Sequence, residues 1–265
     1  MKNVSSVYGP VKSWRVGWSL GIDLICENSV CSFNCSYCQL GFIQERTNVR
    51  REFITLEKLR KDFQNSDWKK SDIVTFSGSG EPTLALNIGE AINWIREFSN
   101  KPVLVLTNGT LLGDPEVRQS LLEADRVYIK LDAADERTFQ IVNRPVAGIS
   151  LSGIIEGAEK FRAEYDNYLG IQFMVLPNSR IDAEEYASLA SRISPDEIQV
   201  NTPTRPYPDD WYLDSRGSHQ GVAYPAKPLK QVPRERITGL VSDLKRLTGI
   251  EIITSVFDRD RLSTA

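Results

Sequence analysis

Short apolar runs alternate with longer amphipathic segments along this chain, and the alternation limits the folds it can adopt. Most of the apolar runs are continuous and rich in Val, Ile and Leu, as in parallel strands covered on both faces. Strands are predicted at residues 20–25, 72–76, 102–107, 126–131, 169–175 and 197–201, with a further short one at 251–256. Strand–helix–strand units impose parallel neighbours and right-handed crossovers. The sequence therefore predicts an α/β protein, either an open sheet or a partial barrel, with its ligand site at the carboxyl ends of the strands.

The segments between these runs carry helical periodicity and recognisable helix ends. Thr55 is a helix cap, Asp114 with Pro115 forms a cap and a first-turn proline, and Gly249 is a typical helix stop. Helices are predicted at residues 55–64, 88–98, 116–123, 151–165, 182–193 and 234–247. Together with the strands they make about six βα units.

Composition narrows the class of protein. The 265 residues carry 32 Lys and Arg against 35 Asp and Glu, a net charge of −3, which disfavours nucleic-acid binding through bulk charge. No apolar run approaches the ~18 residues of a membrane span, and the first ten residues lack the apolar core of a signal peptide. We therefore expect a cytoplasmic protein without membrane association. In that reducing compartment four cysteines are ligands or reactive groups rather than disulfides.

Three cysteines lie within eight residues, directly after the first predicted strand: Cys31, Cys35 and Cys38. Closely spaced thiolates on one loop can hold an inorganic centre while neighbouring amides hydrogen-bond to the sulfur atoms. A structural zinc site needs four ligands, so it would have to recruit Cys26 or His219. Cys26 is otherwise a small buried hydrophobic residue, and its role stays open.

The spacing Cys-x3-Cys-x2-Cys, with Tyr37 before the last cysteine, resembles the radical S-adenosylmethionine (SAM) superfamily. Three further segments follow in the order that this family shows. They are the Gly78-Ser79-Gly80-Glu81 motif after the second strand, Thr107-Asn108-Gly109 after the third, and Lys130-Leu131-Asp132 after the fourth. The residue sequences of three segments resemble the oxidoreductase group that includes archaeal wyosine synthase. These segments are Ser19–Asp23, Cys38–Gly41 and Asn201–Pro206.

The resemblance implies a partial (β/α)6 barrel with parallel strands that binds a [4Fe–4S] cluster and SAM. Cys31, Cys35 and Cys38 would ligate the cluster, and the open iron would chelate the amino and carboxylate groups of SAM. One electron then cleaves SAM into methionine and a 5′-deoxyadenosyl radical, which takes a hydrogen atom from the substrate. The electron would come from a reductant such as flavodoxin or ferredoxin.

The cofactor-binding residues expected from these motifs lie at successive strand ends. Glycines there let the backbone approach a ligand, and Glu81 offers a carboxylate to an ammonium group. The other candidates could bond the ribose, the methionyl carboxylate or the substrate; for Lys130, pairing with Asp132 is the alternative. The candidate set is Tyr37, Gly78, Ser79, Gly80, Glu81, Asn108, Lys130, Asp132 and Asn201.

No catalytic residue is identified, but four candidates stand out. Lys130 and Asp132 would face the substrate if they do not bind SAM. Arg205 would clamp an anionic substrate if it is not merely a surface arginine, and His219 is a weak acid–base candidate.

Residues 207–228 break the βα pattern. This stretch has no periodicity but carries Trp211, Tyr212 and Tyr224, so a lid or binding loop is a better interpretation than disorder. We therefore divide the chain into a core at 1–206, an aromatic lid loop at 207–228, and a C-terminal helix and strand at 229–265 that pack on the core.

Several functions remain open at this point. The first is an oxidoreductase or transferase acting on a small molecule or a peptide. A tRNA-modifying enzyme like wyosine synthase is less favoured, because that group has a second cluster and only Cys26 is left over here. A glycyl-radical-enzyme activase would suit a compact chain. A non-catalytic iron–sulfur or zinc protein that binds a nucleotide is the alternative outside enzymes.

Overall fold

The computed structural model describes residues 4–203, 207–216, 224–227 and 230–255. One eight-stranded sheet organises these residues, and its strand order follows the chain order. The strands are β1 (Val7–Ser13), β2 (Gly17–Ile22), β3 (Ile73–Phe76), β4 (Val103–Thr107), β5 (Arg126–Lys130), β6 (Tyr168–Met174), β7 (Glu197–Asn201) and β8 (Glu251–Ile253). Neighbours from β2 to β8 are parallel, and only β1 pairs antiparallel. Strands β2 to β7 form the partial (β/α)6 barrel.

Helices follow most strands and cover the outer face of the barrel. They are α1 (Leu56–Gln64), α2 (Ile88–Ser99), α3 (Pro115–Leu121), α4 (Glu136–Val142), α5 (Leu151–Glu164), α6 (Ala183–Ile193) and α7 (Arg234–Thr248). Side-chain caps start five of them, at Thr55, Asp114, Asp135, Ser150 and Asp182. No helix in this part of the chain is long and apolar enough to cross a lipid bilayer.

The two faces of the sheet differ in chemistry, as the period of two along a strand requires. Residues that point toward the helices, such as Leu20, Phe76 and Val105, are completely buried and belong to one continuous apolar core. Residues that point into the barrel include polar pairs: Ser19 Oγ lies 2.7 Å from Thr75 Oγ1, and Gln172 Nε2 donates to Gln199 Oε1 at 3.0 Å. The barrel interior is therefore suited to a polar ligand.

The structure adds two elements that the sequence pattern did not predict. Strand β1 was missed because Gly9 and Pro10 interrupt its apolar positions, and it is held by pairing with β2. Helix α4 was missed because seven residues with only Phe139 and Val142 buried are too few to show a period.

Ends of other elements also differ from the prediction. The first barrel strand runs over Gly17–Ile22 rather than 20–25, because the chain turns at Asp23. The last strand ends at Ile253, and Val256 lies outside the described residues.

The segment predicted as an aperiodic loop contains some regular structure. Tyr207–Pro208 pairs antiparallel with Ala226–Lys227, and Leu213–Ser215 forms a 3-10 turn. The rings of Tyr212 and Tyr224 stack with centroids 4.9 Å apart. The C-terminal segment joins the main sheet, because β8 pairs with β7 and α7 packs against α6.

Candidate functional site

The cysteine loop lies across the carboxyl ends of the barrel strands and is fixed by backbone hydrogen bonds. Asn34 N donates to Asn143 O at 3.0 Å, and Ser36 N donates to Val142 O at 2.8 Å. On the other side, Thr47 N donates to Cys31 O at 3.1 Å. These bonds anchor the loop to the end of α4 and to the short parallel pair of Val30–Cys31 with Glu45–Arg46. The position of the loop is therefore fixed by the backbone of α4 and by this parallel pair.

Cys31, Cys35 and Cys38 are free thiols that influence one another. Burial raises the pKa of all three, to about 12 for Cys35, and charge on Cys35 and Cys38 contributes to the rise at Cys31. Donors nevertheless point at the sulfur atoms. Phe33 N and Asn108 Nδ2 donate to Cys31 Sγ at 3.4 and 3.6 Å, and Asn143 Nδ2 donates to Cys35 Sγ at 3.5 Å.

This donor set fits an iron–sulfur cluster. Amide donors stabilise thiolate sulfur, which is the form that binds iron. Two of the three clustered thiols accept such bonds, from Phe33, Asn108 and Asn143.

Cys26 stands apart from the other three cysteines. Its side chain is fully buried and its Sγ donates to Val4 O at 3.4 Å. Burial raises the pKa of this thiol to about 11, with Asp23 as the next cause. His219, the other candidate for a fourth ligand, lies outside the described residues.

The glycine motif packs its backbone against the cysteine loop. Val30 N donates to Ser79 O at 3.0 Å, and Glu81 N donates to Val30 O at 3.1 Å. A Cβ atom on Gly80 would lie 1.7 Å from Val30 O, so only glycine fits there. Gly78 has φ of +112°, which also favours glycine. Ser79 Oγ donates to Asp23 Oδ2 at 2.6 Å.

The Glu81 carboxylate points into the protein rather than toward a ligand. Thr83 Oγ1 and Thr107 Oγ1 donate to its Oε1 at 2.6 and 2.7 Å, and Asn108 N donates to Oε2 at 2.7 Å. The residue is only 2% exposed. In this structure Glu81 joins the ends of β3 and β4, and its contact with an ammonium group stays a prediction.

Asp132 likewise serves the protein. Its Oδ2 accepts hydrogen bonds from Tyr37 Oη and from Asn143 Nδ2, the latter at 2.7 Å. Its Oδ1 accepts from Met174 N at 2.9 Å, and Lys130 Nζ lies 3.4 Å away. The Asp132 side chain is fully buried, whereas that of Lys130 keeps 22% of its surface exposed. Lys130 is therefore the more accessible of the two side chains, and the predicted contact of either with a cofactor stays a prediction.

Three predicted residues remain, besides His219. Both amide atoms of Asn108 make hydrogen bonds within the protein: Nδ2 donates to Ser32 Oγ at 2.8 Å, and Oδ1 accepts from Thr110 N at 3.0 Å. Asn201 ends β7 and is 9% exposed, with its Nδ2 making one 3.4 Å bond to Gln199 O. Arg205, like His219, lies outside the described residues.

A cavity of about 540 Å³ occupies the barrel interior. It reaches the cysteine loop at Cys38 and Gln39, and it reaches the glycine motif at Gly78. Its wall takes side chains from β1 and from every strand between β2 and β7, including Tyr8 and Lys130. Ser215 of the 207–228 loop also lines it. The cavity connects the cluster loop with a space whose lining is both polar and apolar.

Four residues outside the predicted cofactor-binding set hold this site together. Asn143 bridges Cys35 and Asp132; it follows α4, and missing that helix hid it. Tyr8 on β1 fills the space over Gly21, and its Oη lies 2.7 Å from Ser77 Oγ. Arg216, expected from the sequence as a substrate contact, pairs with Asp23 at 2.9 Å. No signal in the sequence indicated this role for Asp23, because the predicted strand at 20–25 ran through it.

The sequence profile of the Radical SAM superfamily matches residues 28–190, more than half of the chain. A UPF0026 protein from Synechocystis sp. is 47% identical over 229 residues, which cover 86% of this chain and 86% of that protein. A UPF0026 protein from Methanocaldococcus jannaschii is 35% identical over 214 residues, which cover 78% of this chain and 65% of that protein.

Solved structures share the fold at low sequence identity. Archaeal TYW1 matches with a TM-score of 0.55 and 16% identity, over 89% of this chain and 74% of that chain. Native anSMEcpe with bound AdoMet matches with a TM-score of 0.56 and 17% identity, over 87% of this chain and 62% of that chain. With the profile match and the relatives, they lead to one conclusion: the chain belongs to the Radical SAM superfamily.

Proposed function

We propose that this radical SAM enzyme holds a [4Fe–4S] cluster on Cys31, Cys35 and Cys38 and binds SAM at the carboxyl ends of its barrel strands. The observation that carries the proposal is the loop of three half-buried thiols, in which the sulfur atoms of Cys31 and Cys35 accept amide hydrogen bonds. Three thiolates leave one iron of such a cluster to the amino and carboxylate groups of SAM. When bound and reduced by one electron, the cluster and SAM would together supply a 5′-deoxyadenosyl radical that removes a hydrogen atom from a substrate.

The residues of the chain divide the binding of SAM among them. The backbone at Gly78 lines the cavity and is open to the methionyl ammonium group. The partly exposed Lys130 suits the methionyl carboxylate. Asn201, at the end of β7, suits a hydrogen bond to the ribose. Glu81 and Asp132 are positioning residues, because protein donors occupy both of their carboxylate groups.

The substrate would react inside the barrel cavity. Its wall offers Gln172 and Gln199 amides and the Tyr8 and Tyr128 rings, which suit a small polar molecule or a single side chain of a peptide. The structural neighbour anSMEcpe is also known with a bound peptide. The enclosing wall keeps water and stray hydrogen donors from the reaction.

The 207–228 loop acts in this proposal as the lid of the cavity. Ser215 lines the cavity, and Arg216 donates to Ser5 O at 3.2 Å and to Asp23. The loop also covers the cysteine loop, because a Cβ atom on Gly41 would lie 2.2 Å from Asp210 O. These contacts hold the described part of the loop over the cluster side of the barrel.

Two other radical SAM functions have weaker support. A tRNA-modifying role draws on the fold shared with TYW1, but that likeness is at 16% identity and Cys26 lies apart from the cluster loop. A glycyl-radical-enzyme activase must admit a segment of a large protein partner, and the lid contacts work against that access. We also propose a cytoplasmic location, because all four cysteines are free. The electron for SAM cleavage would come from a protein reductant.

The test is anoxic reconstitution of the chain with iron and sulfide. We expect about four irons per chain and reductive cleavage of SAM to 5′-deoxyadenosine and methionine. Replacing Cys31, Cys35 or Cys38 by Ala should abolish the visible iron–sulfur absorbance and the cleavage. Cys26→Ala is the matched control and should leave both unchanged. Loss of iron in Cys26→Ala, or zinc in place of iron in the wild type, would contradict the proposal.

The substrate can then be sought with the reconstituted protein. Turnover with labelled metabolites or peptides from cell extract should transfer deuterium into 5′-deoxyadenosine. A Gly41→Ala variant should displace the lid at Asp210 while retaining the cluster. If the loop is the lid, SAM cleavage in this variant will no longer depend on substrate. Unchanged coupling would place the substrate cover elsewhere.

A further inference from the structure

A second cavity, of about 840 Å³, lies on the outer side of the cysteine loop. Ser36 and Tyr37, which stand between Cys35 and Cys38, form part of its wall. The other walls come from α4, the loop after β6 and the segment before α7. The barrel cavity meets the same loop at Cys38 and Gln39. The cysteine loop therefore separates the barrel cavity from this outer groove.

Four exposed cations line this groove: Arg137, Arg144, Arg180 and Lys230. Of the described residues in the lining only Asp135 is acidic, and its carboxylate caps α4 by accepting from Thr138 N at 2.9 Å. Among the described residues, none of the four cations lies within 4.0 Å of a carboxylate oxygen. A net charge of +3 is thus concentrated on a chain whose overall charge is −3.

The groove also contains apolar surface. Ile141 is 59% exposed, and Leu176, Pro177 and Pro203 are part of the lining. Apolar surface combined with arginines is typical of protein interfaces. Phosphate-rich nucleic acid would gain little from the apolar residues. The described lining holds two tyrosines, of which Tyr37 is buried and Tyr207 is half-buried, so it offers no row of aromatic rings for successive bases to stack on.

The groove has a short covalent and hydrogen-bonded connection to the cluster ligands. Arg144 directly follows Asn143, whose amide donates to Cys35 Sγ at 3.5 Å. Ser36, next to Cys35, donates its N–H to Val142 O on the groove side. A protein seated in the groove would lie against the face of the cysteine loop that the barrel cavity does not use.

We propose that this basic groove is the docking surface for a small acidic one-electron carrier protein. The inference rests on the proposed iron–sulfur function, because the cluster is the acceptor of the electron. One electron leaves the carrier and reduces the iron–sulfur site by one unit, and no proton or group is transferred. Electron-transfer complexes are typically small and transient, and opposite charges mainly raise their association rate.

The experiment compares two reductants on the reconstituted protein. Reduced flavodoxin, an acidic carrier, and dithionite, a small molecule, are mixed with the protein, and bleaching of the iron–sulfur absorbance is followed. The test variant is Arg137→Glu with Arg144→Glu. The control is Lys61→Glu with Lys160→Glu, which changes net charge equally at exposed sites on α1 and α5.

At low ionic strength we expect the groove variant to be reduced by flavodoxin about tenfold more slowly or worse, with the dithionite rate unchanged. Added salt should lower the rate at which flavodoxin reduces the wild type toward that of the variant, because salt screens the attraction between the basic groove and the acidic carrier. The control should behave as the wild type. Equal rates for the groove variant and the wild type, or equal slowing in the control, would overturn the proposal.

Binding of oxidised flavodoxin, measured by calorimetry, separates this inference from the proposed function. If the chain takes up no iron, the iron–sulfur proposal fails, while loss of binding in the groove variant alone still supports a docking surface for acidic protein. If a single-stranded RNA oligonucleotide binds with the same salt and mutation dependence while flavodoxin does not, the groove is a nucleic-acid surface and the inference is wrong.

Discussion

Arg216 Nη1 lies 2.9 Å from Asp23 Oδ2, in an ion pair whose side chains are 9% and 0% exposed. The pair joins the 207–228 loop to the end of β2, although the two residues are 193 positions apart in the chain. The same Asp23 carboxylate accepts from Ser79 Oγ of the glycine motif and from Cys26 N. One buried carboxylate therefore organises three segments around the cluster loop.

Arg216→Ala should destabilise the protein by about 3 kcal/mol, because it leaves a buried carboxylate without its cation. Urea unfolding followed by circular dichroism measures the change. Lys70→Ala removes the exposed pair between Lys70 and Asp67 and should have a far smaller effect. If the two variants lose equal stability, the Arg216 pair is not structural. Limited proteolysis of the 207–228 loop should also accelerate in Arg216→Ala only.

Glu81 should make a pH-dependent contribution to stability. Burial raises the pKa of this carboxyl above its ordinary 4.5, and hydrogen bonds from Thr83 and Asn108 oppose the rise. The folded protein therefore holds the proton more tightly than the unfolded chain. This contribution is fully present below about pH 4.5 and is lost as the pH rises through the higher folded value.

Glu81→Gln removes that titration. The glutamine amide group also places an N–H donor against a donor of Thr83, Thr107 or Asn108. We therefore expect the free energy of unfolding to fall by about 1–3 kcal/mol. The gap in unfolding free energy between wild type and variant should narrow from pH 4 toward pH 8. A gap that widens over this range would show that the folded carboxyl has a lowered pKa instead.

Gly80→Ala should cost about 3 kcal/mol or more, since its Cβ would lie 1.7 Å from Val30 O and the parallel bridge between the two residues would open. Gly239→Ala is the matched control. Gly239 lies in α7, and a Cβ atom there would meet no neighbouring group within 4 Å. Alanine should therefore stabilise the folded protein by about 0.5–1 kcal/mol. Denaturation midpoints that move in the same direction for both variants would refute the packing argument.

Asn143→Ala should make the reduction potential of the reconstituted cluster more negative. The variant loses the amide donor to Cys35 Sγ, and donors to ligand sulfur favour the reduced state. Asn87→Ala removes another buried asparagine that, like Asn143, has an Oδ1 without a partner in the described structure. Asn87 instead donates to Ile54 O at 2.9 Å.

Both asparagine variants should lose stability, but only Asn143→Ala should shift the potential measured by a redox titration with electron paramagnetic resonance. Identical potentials in the two variants would mean that the Asn143 amide does not act on the ligand sulfur.

The barrel strands and most helices were predictable because they depend on local patterns. The runs that became β3 to β7 are continuous apolar stretches, and parallel strands covered on both faces need such runs. The cap and the stop at Asp114 and Gly249 are single-residue signals that act within one turn of helix. Strand β1 and α4 escaped because their ordering comes from partners far away in the chain rather than from their own period.

The identity of the candidate site was also readable in the chain, because Cys31, Cys35 and Cys38 lie within one loop and their chemistry needs no distant partner to be recognised. The roles of the surrounding carboxylates were not readable. Glu81 and Asp132 each stand at a strand end, as ligand-binding groups do, yet which way each points depends on donors from other strands: Thr107 for one and Met174 for the other. Spacing along a strand specifies a face of the sheet but not the hydrogen-bond partner that meets it. Packing across the barrel therefore decided which protein donors meet the two carboxylates, and it left Lys130 and Gly78 lining the cavity.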